Sequence, residues 1–169
     1  FKAVAEGGKH SFYQGEIAQA IINTVKLAGG CISEDDLAHH TSTWESPISI
    51  DYHGYQVWEC PPNGQGLAAL LGLNILEGFD LERVDATTRR HLVIEALRRT
   101  FRDRALLLGD PACVQMPIER LLSPYYADGL RVAMRTDRAL PSTALAGDVV
   151  EVTQGADTTH FSVLDRTGN

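Results

Sequence analysis

The chain closes on Gly155-Ala-Asp-Thr-Thr-His-Phe-Ser-Val-Leu-Asp-Arg-Thr-Gly-Asn169. From Thr159 the pattern has period two. Thr159, Phe161, Val163 and Asp165 fall on one side, and His160, Ser162 and Leu164 on the other, which predicts a strand over 159–165. Asp165 to Asn169 reads as a hairpin turn whose second strand lies beyond the sequence. Residues 136–157 show no periodicity and read as a long exposed loop. Two threonines, Thr158 and Thr159, thus stand where a loop meets a strand.

A threonine hydroxyl is a poor nucleophile at neutral pH unless a base stands beside it. One source of that base is the threonine's own α-amine, freed when the chain is cut just before the residue. An α-amine titrates near pH 7.7–8.0, so it accepts a proton at working pH more readily than a lysine does. Such an enzyme is made as a precursor, with a loop before the threonine and a rigid strand after it. The sequence around Thr158 has that form. On spacing alone the plainer reading stands beside it, that Thr158 and Thr159 are solvent-facing strand residues.

The rest of the chain bounds the choice. At 169 residues it fits one domain, and 44% hydrophobic residues suffice for a core. The net charge of −7, with Lys and Arg scattered, argues against nucleic acid or anionic membranes as partners. No apolar stretch is long enough to span a membrane. Cys31, Cys60 and Cys113 are far apart and odd in number, and read as buried or half-buried free thiols. Both ends read as cuts within a longer polypeptide, so the compartment, periplasmic or secreted or cytoplasmic, is not read from these residues.

Working back from the loop, Ser123 caps a helix over 124–135, and Gly109-Asp110-Pro111 stops a long helix over 86–108. In that helix Leu92, Ile94, Ala96, Leu97, Phe101 and Leu106 are assigned to the inner side. The arginines at 89, 90, 98, 99, 102 and 104 are assigned to a solvated face. Leu67 to Glu77 is an apolar helix ended by Gly78. Cys60-Pro-Pro-Asn-Gly-Gln-Gly66 is a loop, with Asn63–Gly66 read as a turn near the active-site wall. It lacks the Lys-Ser/Thr of a phosphate loop. Ile48 to Trp58 predicts a hairpin turning at His53-Gly54. Ser33 with Glu34-Asp35-Asp36 is a capped helix start rather than a calcium loop. Ser11 is placed as the cap of a helix over 12–28, ended by Gly29-Gly30. His39-His40 reads as solvated surface, because adjacent helical residues diverge too far to grip one metal.

Seven stretches in order carry a family resemblance: Phe12-Tyr-Gln-Gly15 with Ile17-Ala18; Gly29-Gly30 with Glu34-Asp-Asp-Leu37; Pro47 before Asp51-Tyr52 and Gly54-Tyr55; Pro61-Pro62 and the glycines after it; Leu73-Asn-Ile-Leu-Glu-Gly-Phe-Asp80; Asp103-Arg104 with Leu108-Gly-Asp-Pro111; and Thr158-Thr-His-Phe-Ser-Val163. The chain resembles the γ-glutamyltransferase (γ-glutamyltranspeptidase) family of N-terminal nucleophile hydrolases over nearly its whole length. The resemblance implies an α+β fold, part of an αββα sandwich. It implies autocatalytic cleavage between Asp157 and Thr158, with Thr158 as nucleophile and Thr159 and His160 as possible supporting residues. Residues 1–157 then correspond to the C-terminal part of a large subunit and 158–169 to the start of a small one. The implied partners are a γ-glutamyl or other small amide as substrate and the companion subunit of a heterodimer; no metal or organic cofactor is implied. The family's oxyanion-hole glycines and most substrate-gripping residues fall outside these 169 positions, so this segment alone is not expected to turn over substrate. The Pro61-Pro-Asn-Gly-Gln-Gly66 run departs from the Pro-Pro-Pro-Ser-Ser-Gly-Gly-like run of many family transpeptidases. It is similar to the branch with amide hydrolases such as cephalosporin acylases and oxamate amidohydrolase.

Overall fold

The computed structural model of the chain describes residues 1–145. They fall into two compact units, Phe1–Glu45 and the part from Ser46 onward.

The first unit holds α1 (Lys2–Tyr13), α2 (Glu16–Leu27) and α3 (Glu34–Ala38). Helix starts earlier than Ser11, which lies inside α1. The chain breaks at Gln14-Gly15 and α2 begins at Glu16. The expected single helix over 12–28 is therefore the tail of one helix and the whole of the next. Gly8 (φ 59°) kinks α1, and Gly29 (φ 82°) ends the α2 region in the left-handed conformation that glycine adopts without steric cost. Ala18 and Ile22 of α2 are buried. At α3 the Ser33 hydroxyl accepts from Asp36 N–H (3.2 Å) and Ser33 N–H donates back to the Asp36 carboxylate (2.8 Å). The Ser33 hydroxyl also donates to the Asp36 carboxylate (2.7 Å), and this bond first, then the one from Ser33 N–H, holds the Asp36 carboxyl below its usual range.

The second unit is built around an apolar helix. β1 (Ile48–Tyr52) and β2 (Tyr55–Glu59) pair antiparallel, with Ile50 opposite Val57 and Tyr52 opposite Tyr55. His53 (φ 48°) and Gly54 (φ 80°) both have positive φ, as the tight two-residue turn expected there requires. α4 (Gly66–Leu76) packs against both strands, α5 (Ala86–Leu107) and α7 (Pro124–Val132). Contact on several sides explains why its apolar residues are not confined to one stripe: Leu67, Ala68, Leu70, Leu71 and Ile75 are all buried. Leu71, Ile75, Leu92, Ala96, Ala127 and Met134 form the core cluster. Ile75 is fully buried, so Ile75→Ala is expected to cost about 2–5 kcal/mol, measured as a lower urea midpoint of the full-length protein.

The other two helices, α6 (Ile118–Leu121) and α8 (Ser142–Leu145), are four residues each. α8 interrupts what the sequence presents as unbroken loop, and α7 stops at Val132, short of the expected 135. Ser123 caps α7 as expected, its hydroxyl accepting from Tyr126 N–H at 3.2 Å. The last carbonyls of α4 are satisfied by Arg131, which donates to Asn74 O (2.7 Å) and Ile75 O (3.2 Å). Gly78 leaves room for that guanidinium, since a Cβ there would overlap Arg131 Nε. Cys31, Cys60 and Cys113 are free thiols but exposed, which corrects the expectation of burial: each sits in a connecting segment rather than on a core-facing side of an element.

Candidate active site and the helix that leads to it

Asp157, Thr158, Thr159, His160 and the strand expected over 159–165 lie outside the described residues. The structure shows instead what holds the chain on its way to them. α8 packs against α5. Arg98 of α5 donates through Nη2 to Leu140 O (2.8 Å) and to Ser142 Oγ (3.2 Å), and through Nη1 to Glu95.

Glu95 is the centre of a buried charge network. Its side chain is 1% exposed, as is that of Arg99. Arg99 Nη1 donates to the Glu95 carboxylate (2.8 Å) and to Glu95 O (2.9 Å), and its Nη2 reaches Ala133 O (3.2 Å) just past α7. Burial raises the Glu95 pKa, but hydrogen bonds from Arg99 and Arg98, and their charges, outweigh it and hold the group below the ordinary carboxylate range. About two helical turns on from Glu95, buried Asp103 accepts from Arg102 Nε and from Tyr126 OH, each at 2.8 Å. Burial, and then the bond to Asp103, push the Tyr126 phenol above its usual value.

This overturns the expected orientation of the long helix. Arg89 and Arg90 are exposed, but Arg99 is buried and Arg98, Arg102 and Arg104 are half-buried. Of the apolar set assigned inward, Leu92 and Ala96 are buried whereas Ile94, Leu97, Phe101 and Leu106 are exposed. The buried side runs through Leu92, Glu95, Ala96, Arg99, Thr100 and Asp103. α5 carries apolar residues on opposite sides, so hydrophobic periodicity alone does not choose between them. The Glu95 pairs at i,i+3 and i,i+4 are legible in the sequence; their burial is not, because it depends on α4 and α7.

The loop before α4 and the turn after α5 share an open cleft lined by Asn63, Arg104, Ala105, Leu108, Gly109 and Asp110. Gly66 is required by close approach: a Cβ there would meet Glu59 Cβ at 2.7 Å and Cys60 O at 2.8 Å. Arg104 Nε, in the same cleft, is the one buried side-chain polar atom without a partner among the described residues. His39 and His40 are exposed and engaged separately, His39 Nδ1 with Asp35 O (2.8 Å) and the His40 ring stacked on Tyr13. Among the described residues no three His, Cys, Asp or Glu side chains gather as a metal site, and no helix is long and apolar enough to cross a membrane.

Comparison with known proteins decides the family. The family model described as gamma-glutamyltranspeptidase matches residues 1–169. The chain belongs to the γ-glutamyltranspeptidase family. It is 37% identical over 168 residues to the glutathione hydrolase-like YwrD proenzyme of Bacillus subtilis (strain 168), covering 98% of this chain and 30% of that protein. In structure it matches the Helicobacter pylori γ-glutamyltranspeptidase with a TM-score of 0.74 at 28% identity, over 92% of this chain and 46% of that one. It also matches cephalosporin acylase from Bacillus halodurans, with a TM-score of 0.69 at 41% identity, over 79% of this chain and 25% of that one. The mixed helix and strand described above are thus those of a γ-glutamyltranspeptidase, an N-terminal nucleophile hydrolase fold. The chain spans about 30% of the length of the relative proenzyme.

Proposed function

We propose that the full-length protein is a self-processing acyltransferase or hydrolase that uses Thr158 as its nucleophile. The observation that carries this is Thr158-Thr-His-Phe-Ser-Val163 within a family match that runs through residue 169. In the precursor the Thr158 hydroxyl attacks the Asp157 carbonyl carbon. The Asp157–Thr158 C–N bond breaks as an ester C–O bond forms, and the hydroxyl proton passes to the departing nitrogen, which leaves as a free amine. Water then hydrolyses the ester, giving an Asp157 carboxylate and a Thr158 with both hydroxyl and α-amine. Residues 1–157 become the end of the large subunit and 158–169 the start of the small one, held together as a heterodimer.

In the mature enzyme the α-amine takes the hydroxyl proton as Oγ attacks a γ-glutamyl amide. An amine departs, and a second amine or water resolves the acyl-enzyme. Thr159 and His160 are supporting candidates only: His160 is not needed as base when the α-amine is present. The Asn63–Gly66 turn and the Arg104 cleft beside it are assigned to the active-site wall.

Similarity to the cephalosporin acylase, together with Asn63-Gly-Gln-Gly66, favours a second reading, an amidohydrolase acting on another small acyl amide. The p-nitroanilides of γ-glutamate and of glutarate separate the two, because they differ only in the α-amine. Preference for γ-glutamate, with faster release when an acceptor dipeptide is added, supports transfer. Preference for glutarate with no acceptor effect supports the acylase reading. No release from either contradicts both.

A further inference from the structure

We propose that Arg98 is a positioning residue for self-cleavage. It fastens the chain at 140–142 to α5 and so fixes the root of the segment that presents the Asp157–Thr158 bond. The inference rests on the reading of Thr158 as nucleophile.

Arg98 is a fork between two partners far apart in sequence. One arm is held by Glu95; the other donates to Leu140 O at 2.8 Å and Ser142 Oγ at 3.2 Å. Glu95 is itself immobilised from a second side by Arg99, which is 1% exposed and bonded onward to Ala133 O. The anchor therefore differs from a surface ion pair, whose long side chains drift and which contributes little. Its geometry needs the planar guanidinium: a lysine ammonium is a point charge and does not reproduce a rigid two-armed fork. The same carboxylate thus joins three elements, α5, the end of α7 and the root of the processing segment.

Thr158 Oγ and the Asp157 carbonyl carbon are adjacent in the chain, so the rate of attack depends on the geometry in which the bond is presented rather than on an encounter of distant groups. Upstream of Leu140 the next described side-chain anchor is His91 Nε2, which donates to Arg135 O at 2.7 Å, so loss of Arg98 moves the last such anchor back along the chain. A misplacement of about 1 Å at a reacting pair costs up to about 100-fold, and a slowing of about tenfold is expected from an anchor that acts at a distance.

The test uses the full-length precursor. Wild type, Arg98→Ala, Arg98→Lys and Ser142→Ala are incubated under folding conditions, and the half-time for appearance of the Thr158 N-terminus is followed by mass spectrometry. Melting temperature and turnover per mature molecule are measured alongside. Arg98→Ala is expected to slow cleavage about tenfold, Arg98→Lys to recover part of that loss, and Ser142→Ala to slow it less than Arg98→Ala. Turnover of whatever fraction matures is expected to match wild type. Cleavage by Arg98→Ala within about twofold of wild type overturns this inference alone. So does a loss of turnover or melting temperature that parallels the loss of cleavage, which marks Arg98 as a general stability residue. A wild-type precursor that never cuts overturns the reading of Thr158, and this inference with it.

Discussion

Thr158→Ala is expected to leave the full-length protein a single uncut chain and to lower amide hydrolysis by about 10⁴-fold or more. Both effects follow from one oxygen atom. In the proposed mechanism the Thr158 hydroxyl attacks the Asp157 carbonyl in the precursor and the substrate carbonyl in the mature enzyme. Alanine removes the nucleophile from the first event, so the α-amine that serves as base in the second is never released. Thr158→Ser separates the two contributions. It keeps the oxygen and the amine, so it is expected to cut and to hydrolyse, at altered rates. Denaturing gel analysis and an amide assay on the same preparations measure both. An Ala variant that hydrolyses as wild type does removes Thr158 from the mechanism.

Glu95→Ala is expected to have the largest effect on stability, about 3–5 kcal/mol. Glu95 is the shared acceptor for Arg98 and Arg99, and Arg99 is buried as completely as the carboxylate. Deleting the acid leaves a buried guanidinium without its counter-charge, which costs more than the net stability the pair contributes. The effect depends on pH with a definite sign. The folded-state pKa of Glu95 is lowered, so the ionised carboxylate stabilises the fold fully above its ordinary value near 4.5. That contribution is lost as the pH falls through the lowered folded value. The gap between wild type and Glu95→Ala is therefore expected to be constant near neutrality and to narrow below about pH 4.5. Denaturant midpoints across that range check it. A gap that widens on acidification contradicts the assignment of Glu95 as an ionised, doubly paired group.

Much of this architecture is legible residue by residue. His53-Gly54 places the hairpin because few residues accept positive φ, and Ser33 and Ser123 place helix starts because their hydroxyls cap backbone N–H groups. The limits of α4 and α5 follow from apolar content and from Gly78 and Gly109-Asp-Pro111. These are local effects, decided within a few residues. The side of α5 that is buried is not local. Ile94, Leu97 and Phe101 look inward by hydropathy, yet the buried side takes Glu95, Arg99 and Asp103, whose charges pair within the helix and whose further hydrogen bonds reach Tyr126 OH and Ala133 O, up to 34 residues away. α8 was equally hidden, since four residues held by a long-range arginine leave no periodic trace. The proposed site is read from the sequence alone and lies outside the described residues: Thr158 is singled out by the chemistry that a threonine needs before it can act. The family was legible in the order of seven stretches, which agrees with the match over residues 1–169.

The most direct measurement is the intact mass of the wild-type full-length protein after folding, with N-terminal sequencing of its fragments. The account predicts two chains, the smaller beginning Thr158-Thr-His-Phe-Ser-Val163. A single intact chain, or a cut at any other bond, contradicts it.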